Sequence, residues 1–261
     1  MILLIAGTAE GREIFSLLGE RGYPVVAAVT TSYGAQALAG EGLPECARVL
    51  NRALDEREMV SLLKERGVRA VVDASHPFAV RVSAHARRAC ALTGVKYIRY
   101  ARPAAQVPED PRVFPCRDFY QAARTAVSLG ETIFLTTGSK TLPIFVEEAR
   151  RHGKRVVARV LPAPEAVAGC FALGLAPADV IAMQGPFSYE LNRAFFAACR
   201  AEVLVTKESG PAGGTEQKIK AALDLDIPVV LIERPAEEGP RPVNTYAELL
   251  RVLETLPKES G

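Results

Sequence analysis

The chain has 261 residues, enough for one large domain or two ordinary ones, and its 49% hydrophobic content excludes a disordered protein. A formal net charge of +2, with basic residues scattered, leaves no nucleic-acid footprint, and no apolar run approaches the ~18 residues of a membrane span. The cysteines (Cys46, Cys90, Cys116, Cys170 and Cys199) form no C-x-x-C or Cys/His pair at metal spacing, which reads as free thiols in a reducing compartment. The first apolar run is short for a signal peptide and has no basic residues before it, so the expected location is the cytoplasm.

Residues 1–5 are an apolar run without helical spacing, which fits a strand buried on both faces. Ala6-Gly7-Thr8 turns the chain, and a helical pattern (Ile14, Phe15, Leu17, Leu18) begins near Glu10. A buried strand, a small-residue turn and a helix start make the first β-α unit of a nucleotide-binding sheet. The turn must be small so that backbone N–H groups can approach a phosphate. Within residues 1–12 only Gly7 and Gly11 are glycines, so the strict G-x-G-x-x-G spacing is absent.

Further strands are expected at 24–29, 47–50, 70–73 and 96–100, with helices at 55–66, where Asp55 caps, and at 79–93, closed by Gly94. Prolines at 103, 108, 111 and 115 then suggest a linker or domain crossing. Beyond it come helices at 118–129, 142–152, 165–173, 188–199 and 215–225 and strands at 132–136, 155–160, 180–183, 203–206 and 229–232. A last helix at 245–256 can pack on either half. The pattern predicts an α/β fold of two Rossmann-like domains, 1–101 and 102–261, with mostly parallel sheets and a ligand cleft between them.

Loops after strand ends should then carry chemistry. In Asp73-Ala74-Ser75-His76-Pro77-Phe78, a helix-capping role for Asp73 or Ser75 competes with contact to a cofactor opposite the first turn. Thr136-Thr137-Gly138-Ser139-Lys140 offers donors and a positive charge suited to phosphate or carboxylate, without Walker A spacing. Ser188 reads as a helix cap, which does not explain the Gly185-Pro186-Phe187 before it. The loop 206–214, with Lys207, Ser209 and Gly213, is either an anion-binding loop or an exposed hinge. With Arg159 and Arg234, Lys140 and Lys207 would present four cations to a ligand bearing several carboxylates or phosphates. No metal set or nucleophile triad emerges, and His85 and His152 sit within helices, so the chemistry must come from a cofactor.

Taken together, IAGTAEGREI at the start, DASHPFA at 73–79, TTGSK at 136–140, RVLP at 159–162, QGPFSYELN at 184–192 and VTKESGPAGGTEQKI at 205–219 resemble the precorrin-6A reductases of vitamin B12 biosynthesis, along essentially the whole chain. The resemblance implies two Rossmann-like domains holding a nicotinamide dinucleotide and an anionic tetrapyrrole. It also implies hydride transfer to the C18–C19 double bond of precorrin-6A or its cobalt complex, giving the 6B product, with other cobalamin-pathway enzymes as potential partners. TTSYGAQAL after the second strand looks more like the anaerobic, cobalt-using branch. Cofactor contacts are expected at Gly7, Thr8, Ala9, Glu10, Thr30, Thr31, Ser32, Asp73, Ser75 and His76. Substrate contacts are expected at Thr137, Gly138, Ser139, Lys140, Arg159, Ser188, Lys207, Ser209, Gly213 and Arg234, and His76, Ser75 and Lys207 are the candidate catalytic groups.

The family's usual Gly-Gly-Thr turn is Ala6-Gly7-Thr8 here, and Thr30, Thr31 and Ser32 stand where an acid would bind a ribose 2′-OH, so NADPH and NADH both stay open. Two rivals are a non-catalytic two-domain binder of an anionic metabolite and a nucleotide-sugar transferase, which would want an acidic residue in the cleft for metal or base, and these loops are short of those. A short-chain dehydrogenase is excluded because neither Tyr120 nor Tyr189 has a lysine four residues on.

Overall fold

The computed structural model describes residues 1–40, 45–236 and 238–256, in two compact units: Met1–Pro103 with Pro235–Gly261, and Ala104–Arg234. In the first unit, β1 (Ile2–Ala6), β2 (Val25–Val29), β3 (Ala47–Asn51), β4 (Ala70–Ala74) and β5 (Lys96–Arg99) form a sheet ordered β3-β2-β1-β4-β5. Every pairing is parallel. β1, β2 and β4 are buried along their whole length, as a sheet covered on both faces requires. Helices α1 (Ala9–Glu20), α2 (Ser32–Ala39), α3 (Glu56–Glu65) and α4 (Val80–Thr93) connect the strands.

Asp55 caps α3 in a reciprocal capping box with Glu58. Gly94 ends α4 at φ 73°, a left-handed position that costs glycine little. The sequence reading left α2 unassigned; its N-cap Thr31 accepts from the Gly34 N–H at 3.0 Å.

In the second unit, β6 (Val113–Cys116), β7 (Thr132–Leu135), β8 (Arg155–Val160), β9 (Val180–Ala182), β10 (Val203–Lys207) and β11 (Val229–Ile232) form a parallel sheet ordered β6-β11-β10-β7-β8-β9. Helices α5 (Phe119–Leu129), α6 (Leu142–Arg151), α7 (Pro164–Ala172), α8 (Tyr189–Ala198) and α9 (Thr215–Leu223) cover it. The proline-rich stretch read as a linker contains β6. As an edge strand it accommodates Pro115, whose missing N–H would break the ladder of a central strand. Phe134 packs edge-on against Phe196 beneath α8, with ring centroids 5.0 Å apart.

After Arg234 the chain returns to the first unit. Val243 bridges Tyr100, and α10 (Tyr246–Glu254) buries Leu249, Leu250 and Leu253 against Ile2, Leu4, Ile14 and Leu18. The last helix, which by its pattern can pack on either half, therefore completes the core of the first. The face of β1 beside α1 needs that apolar cover. The cysteines are free thiols, and burial followed by the charge of Asp73 pushes the Cys90 thiol up to about 12. No helix among the described residues is long and apolar enough to cross a membrane.

Leu249→Ala should lower unfolding stability by ~2–5 kcal/mol in denaturant titration, the range for a buried leucine. A loss below ~0.5 kcal/mol would show that α10 is not part of this core.

Candidate functional site

The order β3-β2-β1-β4-β5 puts the topological switch between β1 and β4, where an open α/β sheet binds its ligand. Thr8 Oγ1 donates to the Ala74 carbonyl at 3.0 Å and accepts from the Gly11 N–H at 3.1 Å, tying the first turn to the end of β4 and capping α1 together. A Cβ on Gly11 would lie 3.1 Å from Ala6 Cα, so glycine lets α1 approach β1 closely. A Cβ on Gly7 would meet no protein atom within 4 Å, which leaves the space over the turn open. A small cavity here is lined by Thr8, Glu10, Ser75, Pro77 and Arg102. Glu10 and Arg102 pair across it at 3.0 Å.

The loop after β4 is held from below. Asp73 is fully buried beside its register partner Arg99, at 3.1 Å, and accepts from the Tyr97 hydroxyl at 2.7 Å and the Ser75 N–H at 3.0 Å. Arg99 Nη1 also donates to the carbonyls of Asp73 and Ser75, both at 3.1 Å. Burial pushes the Asp73 carboxyl up, but Arg99 and the hydrogen bonds of Ser75, Ser83 and Tyr97 together hold it below the ordinary value. His76 is half-buried and its Nδ1 accepts from the Phe78 N–H at 3.2 Å, so the neutral ring carries its proton on Nε2.

The second unit has matching loops. After β7 and β10, Gly138 (φ 83°, ψ 175°) and Gly210 (φ 74°, ψ 179°) take a backbone region open only to glycine, and each leads into a 3-10 turn. Arg159 on β8 is buried; its Nη1 donates to Asn192 Oδ1 at 2.8 Å, and its guanidinium lies 3.9 Å from the centroid of the Phe187 ring. Gly185 makes this possible, since a Cβ there would sit 2.9 Å from that ring, and Gly185-Pro186 is cis. Lys218, in the first half of α9, is 6% exposed.

Neither Arg159 nor Lys218 has a carboxylate in ion-pair contact among the described residues. The nearby Glu208 is engaged by Arg234 and by the N–H groups of Ala105 and Gly210, both at 2.9 Å. Burial pulls Arg159 down to about 10. Burial, then repulsion from Lys140, pulls Lys207 to about 8. Burial, then repulsion from Arg159 and Lys207, pulls Lys218 to about 7 against the pull of Glu208. Arg159 and Lys218, held out of water with no carboxylate in ion-pair contact among the described residues, are an arrangement that an anion would relieve.

Residues 1–254 match the family described as Precorrin-6x reductase CbiJ/CobK. The chain is 37% identical over 254 residues to the cobalt-precorrin-6A reductase of Priestia megaterium, covering 97% of this chain and 98% of that one. It is 38% identical to the cobalt-precorrin-6A reductase of Salmonella typhimurium (strain LT2), covering 95% and 91%. Its fold superposes on the structure of CobK precorrin-6A reductase with a TM-score of 0.79 at 25% identity, over 97% and 95% of the two chains. The chain belongs to the precorrin-6x reductase family. It is an oxidoreductase of cobalamin biosynthesis, as the six ordered motifs implied.

Within this precorrin-6x reductase, Gly7, Thr8, Ala9 and Glu10 lie at one end of the first sheet with Ser75 and His76, as the switch point demands. Asp73 has no exposed surface and secures Arg99 and the loop rather than facing a ligand. Ser75 Oγ is shared with Ser83 and Arg99, and Thr8 is spent on its cap. Thr30 and Thr31 are exposed after β2, and the Ser32 side chain lies outside the described residues. In the second unit, Thr137 is buried, Ser139 and Lys140 form a 3-10 turn, and Ser188 caps α8 by accepting from the Leu191 N–H. Ser209 is buried and bonds its own loop, Gly213 closes a 3-10 turn, and Arg234 pairs with Glu208.

Sequence reasoning missed Arg99, Asn192 and Lys218. Lys218 shares the buried stripe of Thr215, Ile219 and Ala222, so a lysine at apolar spacing was the available signal.

Arg99→Met should cost ~3–5 kcal/mol in denaturant unfolding at neutral pH, because it leaves Asp73 buried and unpaired. With a depressed folded value, the Asp73 contribution is present above its unfolded value of ~3.9 and lost as pH falls through the folded one. The gap between wild type and variant should therefore narrow in acid; a gap unchanged between about pH 7 and pH 2 would contradict the pairing.

Proposed function

We propose that this reductase reduces a ring carbon–carbon double bond of cobalt-precorrin-6A with hydride from NADPH or NADH, in the cytoplasm. The carrying observation is the pair of buried cations, Arg159 and Lys218, with no carboxylate in ion-pair contact among the described residues. Acetate and propionate arms of a corrinoid precursor supply the missing charge.

Dinucleotide binding is assigned to the first unit. Open space over Gly7, the Thr8 cap, and the close α1–β1 approach at Gly11 fit a pyrophosphate at the α1 N-terminus. When bound, the coenzyme supplies the hydride. Ser75 and His76 border it from the β4 loop, held by the Arg99 scaffold, with the Nε2 proton of His76 as a donor. Thr30 and Thr31 present no carboxylate to repel a 2′-phosphate, so both coenzymes are admitted.

Ring binding is assigned to the second unit. Arg159, oriented by Asn192 and Phe187, holds one carboxylate, and Lys207 with Lys140 another. Such clamps fix the ring so that positioning supplies most of the rate.

Mixing the protein anaerobically with cobalt-precorrin-6A and either reduced coenzyme should consume the coenzyme mole for mole with ring reduced. A folded protein that oxidises neither overturns the proposal. Gly7→Val should weaken coenzyme binding at least about tenfold (~1.4 kcal/mol) and leave ring binding unchanged. Arg159→Met should do the reverse, by ~1.5–3 kcal/mol, the range for a charged hydrogen bond. Equal losses in both affinities for either variant would refute the division of labour, with fluorescence titration as the readout.

A further inference from the structure

Reducing a carbon–carbon double bond needs a hydride at one carbon and a proton at its neighbour. That proton must come from a group that carries one at neutral pH, releases it readily, and is shielded from bulk water. Resting on the tetrapyrrole-reductase reading, we propose that Lys218 is the catalytic acid. Its ammonium Nζ gives its proton to the ring carbon beside the one that takes the hydride. The hydride brings the electron pair of one new C–H bond. The π pair of the broken double bond takes the Lys218 proton for the other, leaving a neutral amine that regains a proton from solvent.

The geometry carries this in three steps. Lys218 is 6% exposed and its ammonium makes no hydrogen bond or ion pair among the described residues, an arrangement a purely structural lysine avoids. The charged groups acting on it from the packed elements are Arg159 of β8, Lys207 at the end of β10 and Glu208 after it. Glu208 is taken by Arg234, Ala105 and Gly210, so it holds the loop rather than the lysine. On α8, Asn192 serves Arg159, and the Tyr189 hydroxyl donates to the exposed Asp224. Lys218 on α9 is thus acted on by two cations and by a carboxylate engaged elsewhere, and burial with that repulsion brings its ammonium down to about 7.

The other cations suit the role less well. Arg159 keeps its proton to about 10 and is locked by Asn192 and Phe187. Lys207 is only half-buried, whereas Lys218 is shielded from water. A ring carboxylate arriving beside Arg159 also favours the Lys218 ammonium, so substrate binding loads the acid.

Two variants and two measurements test this. Lys218→Arg keeps the charge but holds its proton; Lys218→Met removes both. In single turnovers with cobalt-precorrin-6A, both should slow coenzyme oxidation at least about 100-fold. The arginine variant should keep ring affinity within about threefold, so the loss falls on the rate. Wild type should slow as pH rises above the acid's value, and the arginine variant should lose that limb. A rate within a few-fold of wild type in either variant overturns the proposal.

Calorimetric titration with uroporphyrin at about pH 8, in buffers of different ionisation heat, should show proton uptake by wild type and about one proton less by Lys218→Met. Equal uptake overturns the loading step and the proposal with it. The melting temperature of ligand-free Lys218→Met should match or exceed that of wild type, because a desolvated ammonium is removed. A fall of several degrees would mark a structural lysine and overturn the assignment. If wild type itself leaves the coenzyme unoxidised with substrate present, the reductase reading fails instead; a wild type that turns over with an equally active Lys218→Met sinks only the assignment of the acid.

Discussion

A cation removed from water without a counter-charge costs several kcal/mol, and the second unit carries two such cations side by side. Arg159 is met only by an amide oxygen and two aromatic rings, and Lys218 by no hydrogen-bonding group among the described residues. A fold tolerates this where a ligand later supplies the charge. The glycine-dependent loops after β7 and β10, the Phe187 turn and the buried first half of α9 all surround that deficit. Glu208 could have relieved it. Arg234 and two backbone N–H groups consume its oxygens instead, which keeps the loop rigid and the site cationic.

The first unit handles buried charge in the opposite way. Asp73 and Arg99 are register partners on β4 and β5, and nearly every oxygen and N–H around them is bonded internally. A satisfied pair of this kind is a scaffold: it sets the height of Ser75 and His76 above the sheet and offers no charge to a ligand. What that unit presents is backbone at a helix N-terminus and open space over Gly7, which suits a phosphate bridge. In the proposed division of labour, the first unit offers neutral backbone to a coenzyme and the second offers cations to a carboxylate-rich ring.

Strand positions and helix ends were legible because buried parallel strands are continuous apolar runs and caps have short local signatures, as at Asp55, Gly94 and Ser188. β6 was hidden because prolines mark linkers, and only its place at a sheet edge makes Pro115 acceptable. α10 carried a clear amphipathic pattern, but which sheet it would cover is a long-range fact that spacing does not encode. The motif loops were found, yet their side chains divide by partner. Asp73 and Arg234 read as ligand contacts and proved to be paired, because the pairing residue lies 26 positions away in both cases. Lys218 was not singled out, although its spacing with Thr215, Ile219 and Ala222 placed it on the buried stripe.

The most direct measurement is a crystal structure of the chain bound to cobalt-precorrin-6A. The account predicts ring carboxylates in ion-pair contact with Arg159, and Lys218 Nζ facing the reducible bond. A ring seated elsewhere, with Arg159 and Lys218 still lacking a counter-charge, would contradict it.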